Sequence, residues 1–288
     1  MSIVTFWNDD KEQTGKTLTA VAVATKMAIE HNYKILLLST SYRENTIKNC
    51  FWVDTVQKRL GNLALKNNNI AVENGIEGLS KLVLSNKIQP SLITDYTKVI
   101  FKNRLEVLNG YSGGGDLSDE EKWHNYKKVT ECYVELVKLA NQYYDMVLVD
   151  IDNQVGKDVR EQLLEIANVN VLVLSQRLES LNRYKELKTT DKNIMGPKCI
   201  PVIGKYNKAS KYNKKNIIRY LEEKKDINII PFNTLFFEAA EETGVTEFFL
   251  KMRDIKDKTD DNYIFMSEVF KLVTNIITRL KDLQMRMR

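Results

Sequence analysis

One short run constrains this chain more than any other. Asp10-Lys11-Glu12-Gln13-Thr14-Gly15-Lys16-Thr17 follows an apolar β-type stretch at residues 3–7 and opens a helical pattern at residues 16–30. Strand, loop and helix in that order are the context a phosphate-binding loop requires. Successive backbone N–H groups and the positive end of the helix macrodipole then face one point, where an anion is stabilised. In such a loop Lys16 contacts the β- and γ-phosphates and the Thr17 hydroxyl ligates Mg²⁺, so ATP with Mg²⁺ is the expected ligand.

The rest of the chain repeats the same alternation. Short runs rich in Ile, Val and Leu occur at residues 35–38, 146–149, 169–174, 200–203 and 227–230, and a further short strand is expected at 104–108. Runs apolar on both faces suit strands covered from both sides, the pattern of a parallel sheet. Helical patterns at 159–167, 178–188 and 213–225 lie between them. The expectation is an α/β fold, a mostly parallel twisted sheet with helices on both faces. Ser118 followed by Glu121 predicts a capping box that opens a helix running to about residue 142. The glycines at 113–115 read as a surface loop, and residues 43–109 as a mostly helical excursion. With 288 residues, 43% of them hydrophobic, and no repeat or linker, a single domain over 1–288 is expected.

Several classes are excluded by composition. No apolar run approaches the ~20 residues that span a bilayer, and the N-terminus lacks a basic, signal-like start. Cys50, Cys132 and Cys199 are far apart and form no Cys-x-x-Cys pair, so they read as reduced thiols of a cytoplasmic protein and not as a zinc or iron–sulfur site. His31 and His124 have no ligand partner at helical spacing.

Lys11 brings in a resemblance. The run from Lys11 to Thr17 is similar to the deviant Walker A loop of the ParA/MinD family of P-loop ATPases, in which a first lysine reaches across a dimer interface to the partner's nucleotide. Tyr144-Asp145-Met146-Val147-Leu148-Val149-Asp150 resembles the family's Walker B strand. Val202-Ile203-Gly204-Lys205-Tyr206-Asn207 and Ile230-Pro231-Phe232-Asn233 resemble its base-proximal segments. The resemblance implies a nucleotide site built from Asp10, Lys11, Glu12, Gln13, Thr14, Gly15, Lys16, Thr17 and Leu18, with Lys205, Tyr206, Pro231, Phe232 and Asn233 around the base. It further implies Mg²⁺ held through Thr17 and Asp150, catalytic roles for Lys11 and Lys16, and an ATP-dependent homodimer.

Departures from that pattern matter equally. Asp10, Glu12 and Gln13 stand where the loop normally has glycines, which reach positive φ without penalty. After the second strand the family has Asp-x-Asp, whereas this chain has Ser39-Thr40-Ser41. A serine is a very weak base, and loss of a general base costs on the order of 10² to 10⁴ in rate, so hydrolysis should be slow. Asp152 is a replacement carboxylate, although capping the turn beside Asn153 is the favoured role for it. These features most resemble the pilus-assembly members of the CpaE/TadZ group.

The implied function is an ATP-dependent switch that positions or recruits a cargo, whether DNA, division proteins or secretion machinery. The alternative is a non-hydrolysing scaffold. Residues 177–225 hold 14 Lys or Arg against 5 Asp or Glu, a stretch that can bind DNA phosphates or simply solvate helices. The amphipathic 264–288 segment reads as a helix packed on the core in preference to a membrane contact.

Overall fold

Apolar residues occupy both faces of most strands, and the molecule uses both. The computed structural model describes residues 1–10, 13–53, 75–85, 88–113, 117–223 and 226–286. Among these, β1 (Ser2–Trp7), β2 (Ile35–Ser39), β3 (Lys98–Phe101), β4 (Leu105–Leu108), β5 (Met146–Asp150), β6 (Val169–Leu174), β7 (Cys199–Tyr206) and β8 (Asn228–Pro231) form one sheet. Its spatial order is β3-β4-β2-β5-β1-β6-β7-β8, parallel throughout except for the antiparallel edge pair β3 and β4.

Period-two alternation feeds two separate cores. Leu36, Leu38, Val147 and Val149 point into one layer, and Ile35, Leu37, Met146 and Leu148 into the other. The first layer is covered by α3 (Ile76–Leu84), α4 (Asp119–Ala140), α5 (Lys157–Ile166), α6 (Leu178–Thr190), the short α7 (Lys192–Met195) and α8 (Lys214–Leu221). The second is covered by α1 (Lys16–Glu30), α2 (Thr46–Phe51), α9 (Thr234–Glu241), α10 (Val245–Lys251) and α11 (Asp261–Arg286). Each fully buried Leu or Val side chain contributes about 1.5–3 kcal/mol, which makes these two layers the main source of stability.

The α/β expectation is met, and the strands at 35–38, 146–149 and 169–174 lie within a residue of their predicted bounds. The capping box at Ser118 and Glu121 is present in both directions and opens α4. The segment 43–109 is less helical than its sequence suggests. It holds α2, α3 and a 3₁₀ turn (Pro90–Tyr96), but also β3 and β4, while residues 54–74 lie outside the described residues. β3 escaped detection because it is an edge strand of four residues whose Lys98 and Val99 face solvent, so it lacks the two-sided apolar pattern. The helix predicted over 213–225 ends at Leu221, where Glu222 turns into the left-handed region at φ 54°.

α11 packs as expected. Phe265, Val269, Leu272, Val273, Ile276 and Leu280 form its buried stripe, with Val269 to Ile276 wholly enclosed at these positions. No described helix is long and apolar enough to cross a membrane.

The order of the strands positions the site. β1 lies between β5 and β6, and the chain leaves it in one direction toward β2 and later crosses β1 in the other toward β6. Crevices at the carboxyl ends of strands near such a reversal are where open α/β sheets bind ligands. The ends of β1, β5 and β2 are adjacent there, since Asp150 pairs in register with both Phe6 and Ser39.

Candidate functional site

The loop leaving β1 closes at Gly15, which has φ 82° and serves as N-cap of α1 without any side-chain cap. Among the described residues no side chain caps the first N–H groups of α1, the arrangement that an anion-binding helix start presents. Behind the loop, Gly204 of β7 lies against the Thr14 carbonyl, and the Lys205 side chain packs on Gly15. Lys205 holds the left-handed conformation at φ 46°, which turns it toward the loop, and its Nζ is 3.5 Å from Gln13 Oε1.

Three predicted residues converge at the carboxyl end of β5. Thr17 donates its hydroxyl proton to Asp150 Oδ2 at 2.9 Å. Lys16 donates to the Ile151 carbonyl and lies 3.5 Å from Asp150 Oδ1. Burial pushes the Asp150 carboxyl above its ordinary range, the Lys16 ammonium and Thr17 hydroxyl pull it back, and the neighbouring Asp152 charge pushes it up again. The ion pair leaves Oδ1 of this buried carboxylate without a hydrogen bond among the described residues. A buried acceptor with spare lone pairs beside a threonine oxygen is a suitable donor set for a hard cation such as Mg²⁺. The residues present therefore fit the ion.

The end of β2 is built around the two serines and the threonine between them. Thr40 is fully buried and joins β2 to the segment after β5: its N–H and hydroxyl both donate to the Asp150 carbonyl, and its Oγ1 accepts from the Asp152 N–H at 2.7 Å. Ser39 and Ser41 hydroxyls bond each other at 3.0 Å, and Ser41 also donates to the Glu44 carbonyl. Asp152 accepts from the Gln154 N–H at 2.7 Å, the turn-capping role favoured from sequence.

A cavity of about 410 Å³ opens above these groups. Its walls include Gln13 to Leu18 of the loop and α1, Lys205, Asp152, and Glu44. An adjoining apolar recess of about 30 Å³ is walled by Leu18, Ile230, Pro231, Phe232, Phe236 and Phe237. A polar chamber that sets Lys16 and Lys205 against Glu44, Asp152 and Glu241, beside a small aromatic recess, suits a phosphorylated ligand bound together with a cation.

Not every predicted residue joins this cavity. Lys11 and Glu12 lie outside the described residues. Asp10 faces the other way, lining a second depression beside α6, where its Oδ2 accepts from Ser180 at 2.6 Å, so its charge is turned from the phosphate position. Tyr206 lines neither chamber, because its ring packs on the first core layer and its hydroxyl accepts from the Lys214 N–H. Asn233 borders the recess, but its amide caps α9 by accepting from Phe236 N–H and donates to Asn262. Glu44, Gln154 and Phe237 line the cavity although they belong to no motif, so nothing in their local sequence distinguishes them.

The basic stretch is partly neutralised by the fold. Arg183, Lys185, Lys188, Lys192, Lys208 and Lys214, six of its fourteen cations, are ion-paired with carboxylates of the same chain.

Neither a family model nor a curated protein matches the sequence. Solved structures do match, over nearly the whole chain. A ParA family ATPase from Chlorobium tepidum TLS aligns with a TM-score of 0.67 at 16% identity, covering 95% of this chain and 98% of that one. The cell division ATPase MinD of Pyrococcus furiosus aligns at 0.64 and 15% identity, covering 95% and 98%. The septum site-determining protein MinD of Pyrococcus horikoshii OT3, solved with Mg-ADP, aligns at 0.63 and 14% identity, covering 94% and 95%. At these identities the likeness is one of fold, and the chain has the P-loop fold of the ParA/MinD ATPases.

Proposed function

We propose that this protein is an ATP-dependent dimerising switch of the ParA/MinD type, which positions or recruits a cargo and hydrolyses ATP slowly. The observation that carries the reading is the convergence of Lys16, Thr17 and Asp150 beside the uncapped start of α1. Lys16 and the first N–H groups of α1 hold the phosphates, while Thr17 and Asp150 hold Mg²⁺ directly or through its water. Bound there, Mg²⁺ neutralises charge on the β- and γ-phosphates. The aromatic recess beside Pro231 and Phe232 receives the base. Lys11 supplies charge to the partner's nucleotide, so that ATP favours the dimer by the contacts it makes only there.

Within the family, the glycine-poor loop and the serine pair are most similar to the CpaE/TadZ group, which adds pilus or secretion machinery to DNA and division proteins as candidate cargoes. The internal pairing of six cations in residues 177–225 lowers the charge that this stretch offers to DNA phosphates. A cytoplasmic location goes with this reading. A non-hydrolysing scaffold is the second reading, favoured by the serines at the end of β2, whose hydroxyls are engaged with each other and with backbone.

Calorimetry with ATP and Mg²⁺, combined with solution mass in ADP, ATP and a non-hydrolysable analogue, tests the proposal. Lys16→Ala should abolish binding and the wild type should dimerise with ATP only. Unchanged affinity in Lys16→Ala would remove the phosphate-site assignment, and ATP-driven dimers without phosphate release would select the scaffold.

A further inference from the structure

The carboxylate absent from the end of β2 has a counterpart three residues later. Glu44 belongs to no recognisable motif, yet it lines the same cavity as Lys16, Thr17 and Asp152. The serines that replace Asp-x-Asp hold it there. Ser39 Oγ bonds Ser41 Oγ, and Ser41 Oγ donates to the Glu44 carbonyl at 3.3 Å, which closes a tight turn over residues 41–44. Two further contacts fix that turn: Tyr111 N–H donates to the Ser41 carbonyl and Arg43 N–H to the Tyr111 carbonyl. Arg43 itself takes the left-handed conformation at φ 57°, which reverses the chain just before Glu44. A non-glycine residue in that region is uncommon and persists where the surroundings impose it. Tyr126 anchors the base of the turn by donating to the Thr40 carbonyl at 2.8 Å.

From this geometry we infer that Glu44 is the catalytic carboxylate that orients and deprotonates the water attacking the γ-phosphate. The inference rests on the ATP-binding reading of the site. In the reaction, the water oxygen forms a bond to the γ-phosphorus while the bond from that phosphorus to the β,γ-bridging oxygen breaks. The electron pair stays on the oxygen of ADP, the water proton passes to the Glu44 carboxylate, and Glu44 later returns it to the released phosphate. Position favours Glu44 over Asp152 for this role, because one Asp152 oxygen is already committed to the Gln154 N–H. Partial burial lifts the Glu44 carboxyl above its ordinary range, the Asp152 charge lifts it further and Lys16 opposes both.

The test uses the full chain with ATP and Mg²⁺ and reads phosphate release, calorimetric ATP affinity and the lifetime of the ATP-bound dimer. Glu44→Gln should lower phosphate release at least tenfold, keep ATP affinity within about twofold and lengthen the dimer lifetime in proportion. Wild-type phosphate release in Glu44→Gln would overturn the inference, most directly if Asp152→Asn were inactive. A parallel tenfold loss of ATP affinity would also overturn it, by making Glu44 a binding group. A wild type that binds ATP but releases no phosphate overturns the role of Glu44 and selects the scaffold, with the ATP-binding reading intact. A wild type that binds no ATP overturns the reading itself.

Discussion

Gly204 on β7 faces the carbonyl oxygen of Thr14 with no room for a methyl group between them, and the Val173 side chain closes the same space. The phosphate-type loop is therefore braced from behind by a strand that begins almost two hundred residues later in the chain. Gly204→Ala should force the loop or β7 to shift. Overpacking of this kind costs about 1–3 kcal/mol, visible as a lower melting temperature without nucleotide. The displaced Thr14 should also lower ATP affinity about tenfold in calorimetry, equivalent to about 1.4 kcal/mol. Unchanged affinity in a destabilised variant would separate the loop from nucleotide binding.

The Thr17 hydroxyl holds Asp150 in the resting molecule and, in the proposed site, would also ligate Mg²⁺. Thr17→Val keeps the shape of the side chain but removes the proton donated to Asp150 Oδ2. A buried carboxylate oxygen then loses its donor, which costs about 1–3 kcal/mol of stability. ATP affinity measured with Mg²⁺ should fall toward the value measured in EDTA, where the variant and the wild type should agree. A variant that still gains affinity from Mg²⁺ would remove Thr17 from the ion's shell.

Lys11 survives in a loop that has lost most of its glycines, which is sensible if its charge matters more than the loop's shape. Lys11→Ala should bind ATP with near wild-type affinity yet remain monomeric by light scattering in saturating ATP. An ATP-dependent dimer of Lys11→Ala would dispose of the cross-interface role.

Alkaline pH should weaken the fold. Burial pushes the Cys50 and Cys199 thiols up to about 12 and raises the Tyr126, Tyr144 and Tyr184 phenols above their ordinary range. In the unfolded chain thiols ionise near about 8.5 and phenols near about 10. Above those values the unfolded state sheds protons that the folded state keeps, so stability is intact at neutral pH and falls as pH rises. Urea midpoints should therefore decline from about pH 7 to about pH 10, and thiol reagents at about pH 8 should label these cysteines only after unfolding. Rapid labelling of the native protein would contradict their burial.

Local pattern determined much of this protein. Two-sided apolar runs specify buried parallel strands because a residue's face alternates with sequence number alone, and so β1, β2, β5 and β6 were readable without any contact information. The start of α1 was readable for the same reason: Gly15, Lys16 and Thr17 are consecutive, and Lys16 and Thr17 are placed by the first turn of α1. Other features depend on pairing between distant segments. β3 exists because β4 offers it an edge, and Asp10 turns away because Ser180 on α6 offers it a proton. Glu44 reaches the cavity because Tyr111 and Tyr126 hold the turn that presents it, contacts 67 and more residues distant in sequence, which no local period encodes. Strand and helix periods are short-range steric facts, whereas the walls of a cavity are chosen by whichever side chains the packed sheet brings together.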